Sequence, residues 1–96
     1  MDIRIKKKKD TYFVGIGYGM ADEEVVAKSP KEAICKYYLG VTPSELSARG
    51  QKLVKVTFEE TEYDSNFYYA EPVGASKKAE SRYRLINAQN EEVYIL

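Results

Sequence analysis

Six clustered carboxylates, one thiol and two groups of cations are the side chains in this sequence that could do chemistry. The carboxylates are Glu23 and Glu24, then Glu59, Glu60, Glu62 and Asp64. Paired carboxylates can exchange protons or hold Mg²⁺ or Ca²⁺. The 59–64 stretch has neither the central glycine nor the late bidentate glutamate of a calcium loop. It reads as an acidic, solvated hairpin that could dock a basic partner. A hydrolase or nuclease using Glu59, Glu60, Glu62 or Asp64 with Mg²⁺ is the enzymatic alternative. The thiol, Cys35, has no histidine to activate it, because the chain contains none. A reactive thiolate would need Lys36 or a helix end beside it. Cys35 therefore reads as a small apolar residue.

Absent residues narrow the chemistry further. Without histidine the chain lacks the commonest general base and the commonest metal ligand. A single Cys can make neither an internal disulfide nor a structural zinc site. No cofactor and no metal is expected. Gly15-Ile16-Gly17-Tyr18-Gly19 invites a phosphate-loop reading. Such a loop needs glycines in a turn that opens a helix. Here the glycines alternate inside a strand pattern, and no helix start follows. The expectation is a side-chain-free sheet face against which a helix packs closely.

The cations fall in two groups. Arg4, Lys6, Lys7, Lys8 and Lys9, set against Asp2 and Asp10, leave +3 over residues 1–10. Lys77, Lys78, Arg82 and Arg84 form the second group, around Tyr83. If a C-terminal hairpin lay beside the first strand, the two would merge into one phosphate-facing stripe. Tyr68, Tyr69 or Tyr83 could then stack on bases. The alternative is a solvated edge strand guarded by lysines. Tyr63, Phe67, Tyr68 and Tyr69 follow the acidic stretch. Tyrosine brings large contact area at low entropy cost, and rings on both faces of one strand point to a partner surface.

These groups must be positioned by a chain of 96 residues, enough for one domain across residues 1–96. Hydrophobic residues make up 44 % and charged residues 31 %, the balance of a folded, soluble chain. Nine of the aromatics are Tyr, which suits a thin core bordered by water. No apolar run reaches the roughly 20 residues of a membrane span. The charged start, with no apolar run after it, reads as cytoplasmic.

Period-two alternation predicts strands at 12–18 and 53–58, the latter with Val54, Val56 and Phe58 on one face. Shorter runs predict strands at 23–28 and 67–73, a first strand at 2–7 or else one long strand continuing into 12–18, and a terminal hairpin of 82–88 with 91–96 about Gln89-Asn90. Ser29-Pro30-Lys31-Glu32 is a helix start with N-cap, first-turn proline and capping-box glutamate. Ala33, Ile34, Tyr37 and Tyr38 would share its buried face, and Gly40 would cap its end. Thr42-Pro43-Ser44-Glu45 repeats the signal for a short helix over 43–49. The fold class is α+β: a mostly antiparallel sheet of five to seven strands, with one main and one short helix on one face.

The strand, turn, strand and Ser-Pro-Lys-Glu-Ala helix start of residues 12–39 resembles the small antitoxin domains of the HicB type. The likeness covers under a third of the chain, and the Pro-Asp-Leu-Pro-Gly-type turn of such domains is absent. No role is carried over from it.

The residues together point to a small non-enzymatic protein-binding module. In style it suits a phage or mobile-element accessory protein that binds and inhibits a host protein. Its partner-binding residues would be Glu59, Glu60, Glu62, Tyr63, Asp64, Tyr68 and Tyr69. The alternative is a nucleic-acid-binding module using the two cation groups. Edge strands could also pair two copies of the chain.

Overall fold

A computed structural model of the chain describes residues 1–4, 10–16, 22–57, 67–74 and 80–93. The expected strand at 2–7 falls largely outside the described residues, and residues 1–4 carry no strand. Glu59, Glu60, Glu62, Tyr63, Asp64, Lys6, Lys7, Lys8, Lys9, Lys77 and Lys78 also lie outside them, as do Gly17, Tyr18, Gly19 and Phe58.

The strands are β1 (Thr11–Ile16), β2 (Glu23–Val26), β3 (Lys52–Val56), β4 (Tyr68–Pro72) and β5 (Ser81–Ile86). They form one sheet in the order β2-β1-β4-β5-β3, with every neighbouring pair antiparallel. Between β2 and β3 lie helix α1 (Pro30–Ile34), its π-helical continuation Cys35–Leu39, and helix α2 (Pro43–Ala48). The chain thus crosses from one sheet edge to the other over a single face. The class is α+β with an antiparallel sheet, as the sequence indicates.

Both helices start where side-chain chemistry says they should. The Ser29 hydroxyl accepts the Glu32 N–H at 3.1 Å, and the Thr42 hydroxyl accepts the Glu45 N–H at 3.1 Å. Each cap satisfies one of the amides that a helix start leaves unpaired. Pro30 and Pro43 sit in the first turns, where a missing N–H costs nothing. Gly40 ends the first helix at φ +63°, a left-handed conformation that favours glycine.

The π-helical turn changes which side chains that helix buries. Gly40 N–H and Val41 N–H both bond the Cys35 carbonyl, the latter at 3.3 Å. The wider turn advances the core-facing spacing from four residues to five. Ala33, Ile34 and Cys35 are buried, and Tyr38 and Leu39 pack half-buried against them. Tyr37, expected on the buried face, is turned out and is 43 % exposed.

The core lies between the helices and one sheet face: Tyr12 and Val14 of β1, Val25 of β2, Leu53 of β3, Tyr68 and Ala70 of β4, and Tyr83 and Leu85 of β5. Register aligns them, with Tyr12 opposite Val25, Val14 opposite Ala70, Tyr68 opposite Tyr83 and Leu53 opposite Leu85. The face of β3 that carries Val54 and Val56 points away from the helices, and the core residue of β3 is Leu53. One expectation is corrected at Gly15, which lies on the face away from the helices, so no helix packs on the sheet there.

The C-terminal hairpin forms, with a specific placement. Asn87 Oδ1 accepts the N–H groups of Gln89 (2.9 Å) and Glu91 (3.0 Å), and Asn90 takes φ +61°. The returning residues pair Glu92 with Ile86, through Asn87 N–H to Glu91 O and Val93 N–H to Leu85 O, both 2.9 Å. They continue the line of β4 along β5. One side of β5 is thus filled by β3 and the other by β4 and then residues 91–93. Both sides of β5 are therefore occupied among the described residues, and the expected merger of the two cation groups turns on Lys6, Lys7, Lys8, Lys9, Lys77 and Lys78, which lie outside them.

Candidate functional site

The sheet face away from the helices carries the chemistry-bearing residues that are described. Strand alternation puts Phe13 and Gly15, Tyr69 and Glu71, Arg82 and Arg84, and Val54 and Val56 on it. Tyr69 pairs in register with Gly15 on one side and Arg82 on the other. Extending that register by two residues brings Phe67 opposite Arg84.

Tyr69 lies across Gly15. A Cβ built on Gly15 would stand 2.5 Å from the Tyr69 Cζ and 2.5 Å from Asp22 Oδ1, closer than real Cβ atoms come. The missing side chain lets the ring cross the strand, where its hydroxyl donates to the Asp22 carboxylate. On the other side the Arg82 guanidinium stands 5.6 Å from the ring centroid. Arg82 Nη2 in turn meets Glu80 Oε1 at 3.0 Å. The neighbouring row repeats the design. The Arg84 guanidinium stands 4.3 Å from the Phe67 centroid, and its Nε meets Glu92 Oε1 at 2.8 Å. Two ring–guanidinium–carboxylate stacks therefore lie side by side: Tyr69–Arg82–Glu80 and Phe67–Arg84–Glu92. Cation–π contacts contribute about 0.5–1 kcal/mol at exposed sites and about 2 kcal/mol where desolvated, and Phe67, at 1 % exposure, is the buried member of the two stacks.

Glu71 extends the site towards β1, opposite Phe13. Burial pushes its carboxyl pKa up, and the charges of Glu80 and Asp22 push it further. The acidic side of the face is thus built from Asp22, Glu71 and Glu80. Among the described residues no group of three or more His, Cys, Asp or Glu is placed to hold a metal ion.

No family model, no curated protein and no solved structure matches this chain.

The sequence-predicted site residues separate by face. Tyr69 is half-buried on the helix-free face. Tyr68 is 4 % exposed and belongs to the core beneath the helices, where burial raises its hydroxyl pKa. Tyr83, a candidate base-stacking ring, is buried on that same face. Arg82 and Arg84 do share a face, and both are ion-paired. Arg4 is exposed in the described N-terminal residues. Cys35 is buried at 1 %, and burial, then the Glu32 charge, raises its thiol pKa.

Asp22, Glu80 and Glu92 are site residues that the sequence reading passed over. A signal existed for Glu80, which stands two residues before Arg82 and so shares its face. Glu92 required the hairpin register. Asp22 required knowing that Tyr69 crosses Gly15.

Proposed function

We propose that this chain is a small, non-enzymatic protein-binding module working in the cytoplasm, and that it docks through the helix-free face of its sheet. The observation that supports a protein partner over nucleic acid is the state of Arg82 and Arg84. Each guanidinium faces an aromatic ring and meets a carboxylate of the same chain. A nucleic-acid-binding face needs cations directed at phosphates and ring faces open to bases. Here those groups are engaged with one another. A pre-ordered surface of Tyr and Arg has the composition of protein-interface hot spots, and its side chains lose little further freedom on binding.

Binding without chemistry also fits the inventory. The chain has no histidine, and its one thiol is buried. Such a module acts by covering a partner's surface, which is the mode of an accessory inhibitor. Among the described residues no helix is long and apolar enough to cross a membrane.

The test is retention from an extract of the source cells by the immobilised chain, before and after nuclease treatment. The expected result is a protein retained in stoichiometric amount whatever the nuclease does. Retention of RNA or DNA, with bound protein lost on nuclease treatment, would overturn the proposal in favour of the nucleic-acid reading.

A further inference from the structure

Strand β2 is one edge of the sheet, and its register shows which backbone groups it leaves open. Ala27 N–H bonds the Asp10 carbonyl at 2.9 Å, so residues 27 and 10 form a hydrogen-bonded pair. Antiparallel ladders alternate such pairs. Val25 with Tyr12 and Glu23 with Val14 are therefore the next ones, which turns the N–H and C=O of Glu24 and Val26 outward. The one described partner on that edge is Lys36, whose Nζ donates to the Val26 carbonyl at 3.1 Å. The protein's own ammonium thus takes the place that an incoming strand's N–H would take.

The side chains around this edge are selective. Asp22, Glu23 and Glu24 are exposed. Val26 on the helix-free side is 44 % exposed, and Tyr37 on the helix side is 43 % exposed. Burial first, and then the Glu23 carboxylate near it, raises the Tyr37 hydroxyl pKa, so the ring stands beside the edge. The opposite edge, β3, carries exposed Lys52 and Lys55, the usual guard against strand addition. Pairing two β2 edges about a two-fold axis through the outward groups of Glu24 and Val26 would set each Glu24 opposite a Val26 and diagonal to the other Glu24, and like charges across a ladder repel.

We propose that the outward edge of β2 binds an extended, lysine- or arginine-bearing segment of a partner protein, which adds to the sheet beside Glu23–Val26. Its backbone would bond the outward groups of Glu24 and Val26. Its cations would meet Asp22, Glu23 and Glu24, and its alternate side chains would rest on Val26 and Tyr37. Main-chain bonds supply affinity in this mode and flanking side chains supply selectivity. Lys36 acts as a built-in competitor that yields the Val26 carbonyl. The inference rests on the partner being a protein. It needs no identified partner for its test.

The test is an amide NMR titration of the full chain with two blocked peptides, one alternating Lys and Val, the other alternating Glu and Val. Saturable shifts at Glu24, Val26 and Lys36 are expected with the Lys peptide, and binding about tenfold weaker or less with the Glu peptide. Glu24→Pro removes one outward N–H and leaves the bonds to β1, so it should weaken binding about tenfold. If that variant does not fold, the double charge reversal Glu23→Lys/Glu24→Lys serves instead, with the same loss expected. Lys36→Ala should tighten binding about threefold by freeing the Val26 carbonyl. The proposal is overturned by absence of saturable shifts up to about 5 mM peptide, by equal response to both peptides, or by unchanged binding in a folded Glu24→Pro. Self-association through the same amides would assign the edge to a second copy and overturn it as well. Failure here would leave the sheet-face reading standing, because that reading is tested by Tyr69→Ala, which leaves the outward groups of Glu24 and Val26 in place.

Discussion

The Tyr69 ring lies across Gly15, in the space a side chain on the neighbouring strand would fill, and its hydroxyl reaches Asp22. The two residues are register partners on β4 and β1. One strand's lack of a side chain thus sets the pose of the ring at the centre of the helix-free face. Gly15→Ala should push the ring tip and the Asp22 carboxylate aside, since the β1 backbone is held on both sides. The expected cost is about 1 kcal/mol, the low end for overpacking, because the displaced atoms are the ends of side chains. In a Tyr69→Ala background the same change should cost clearly less. A double-mutant cycle by urea unfolding should read a coupling of about 0.5 kcal/mol or more. Additivity would mean the ring is not held by Gly15.

The two helix caps should each be worth about 1 kcal/mol. Ser29→Ala and Thr42→Ala each leave one first-turn amide unpaired, at Glu32 and Glu45 respectively. Chemical denaturation should show both losses. Ser29→Ala should carry the larger one, because α1 delivers Ala33 and Ile34 to the core.

Cys35 should be inert in the folded protein. Its thiol is buried, and both burial and Glu32 disfavour the thiolate. A thiol-specific reagent at neutral pH should label it only on unfolding, with a rate that rises with denaturant. Rapid labelling of the native chain would mean that the helix opens over Cys35 on its own.

Glu71 sets a pH dependence whose sign can be stated. Its folded pKa is raised, by burial and by the charges of Glu80 and Asp22. Above the raised value the folded state holds a carboxylate that it disfavours. The stability linked to this group is therefore fully present below the unfolded value of about 4.3 and is lost as pH rises through the higher folded value. Glu71→Gln should melt higher than the wild type at pH 7, and the gain should vanish near pH 4. A gain that persisted at pH 4 would point to some cause other than ionisation.

Much of the fold was legible because it rests on local chemistry. Ser29, Pro30, Thr42, Pro43 and Gly40 mark helix ends through single side chains or single φ angles, and those are visible in a sequence. The α+β class followed from hairpin-like runs on either side of two helix starts. Which face of a strand is buried was harder, because it depends on neighbours that the strand does not encode. Val54 and Val56 are as apolar as a core face should be, yet Leu53 is the residue opposite Leu85. Tyr37 and Tyr38 were indistinguishable until the π-helical turn at Cys35–Leu39 shifted the spacing. Tyr68 and Tyr69 differ only in parity, and parity alone sends one to the core and the other to the site. The ion pairs of Arg82 and Arg84 depend on strand ends and on a hairpin register, where a slip of one residue would have moved Glu92 to the other face.

The most direct test of the sheet-face account compares three forms of the chain as bait for its protein partner: wild type, Tyr69→Ala, and Lys77→Ala/Lys78→Ala. Circular dichroism and a urea midpoint would establish that each is folded. The account predicts that Tyr69→Ala weakens partner binding at least about tenfold, as for a hot-spot tyrosine. It predicts that the double lysine variant binds as the wild type does. Binding that survives Tyr69→Ala but is lost with Lys77 and Lys78, and that falls steeply with salt, would contradict it.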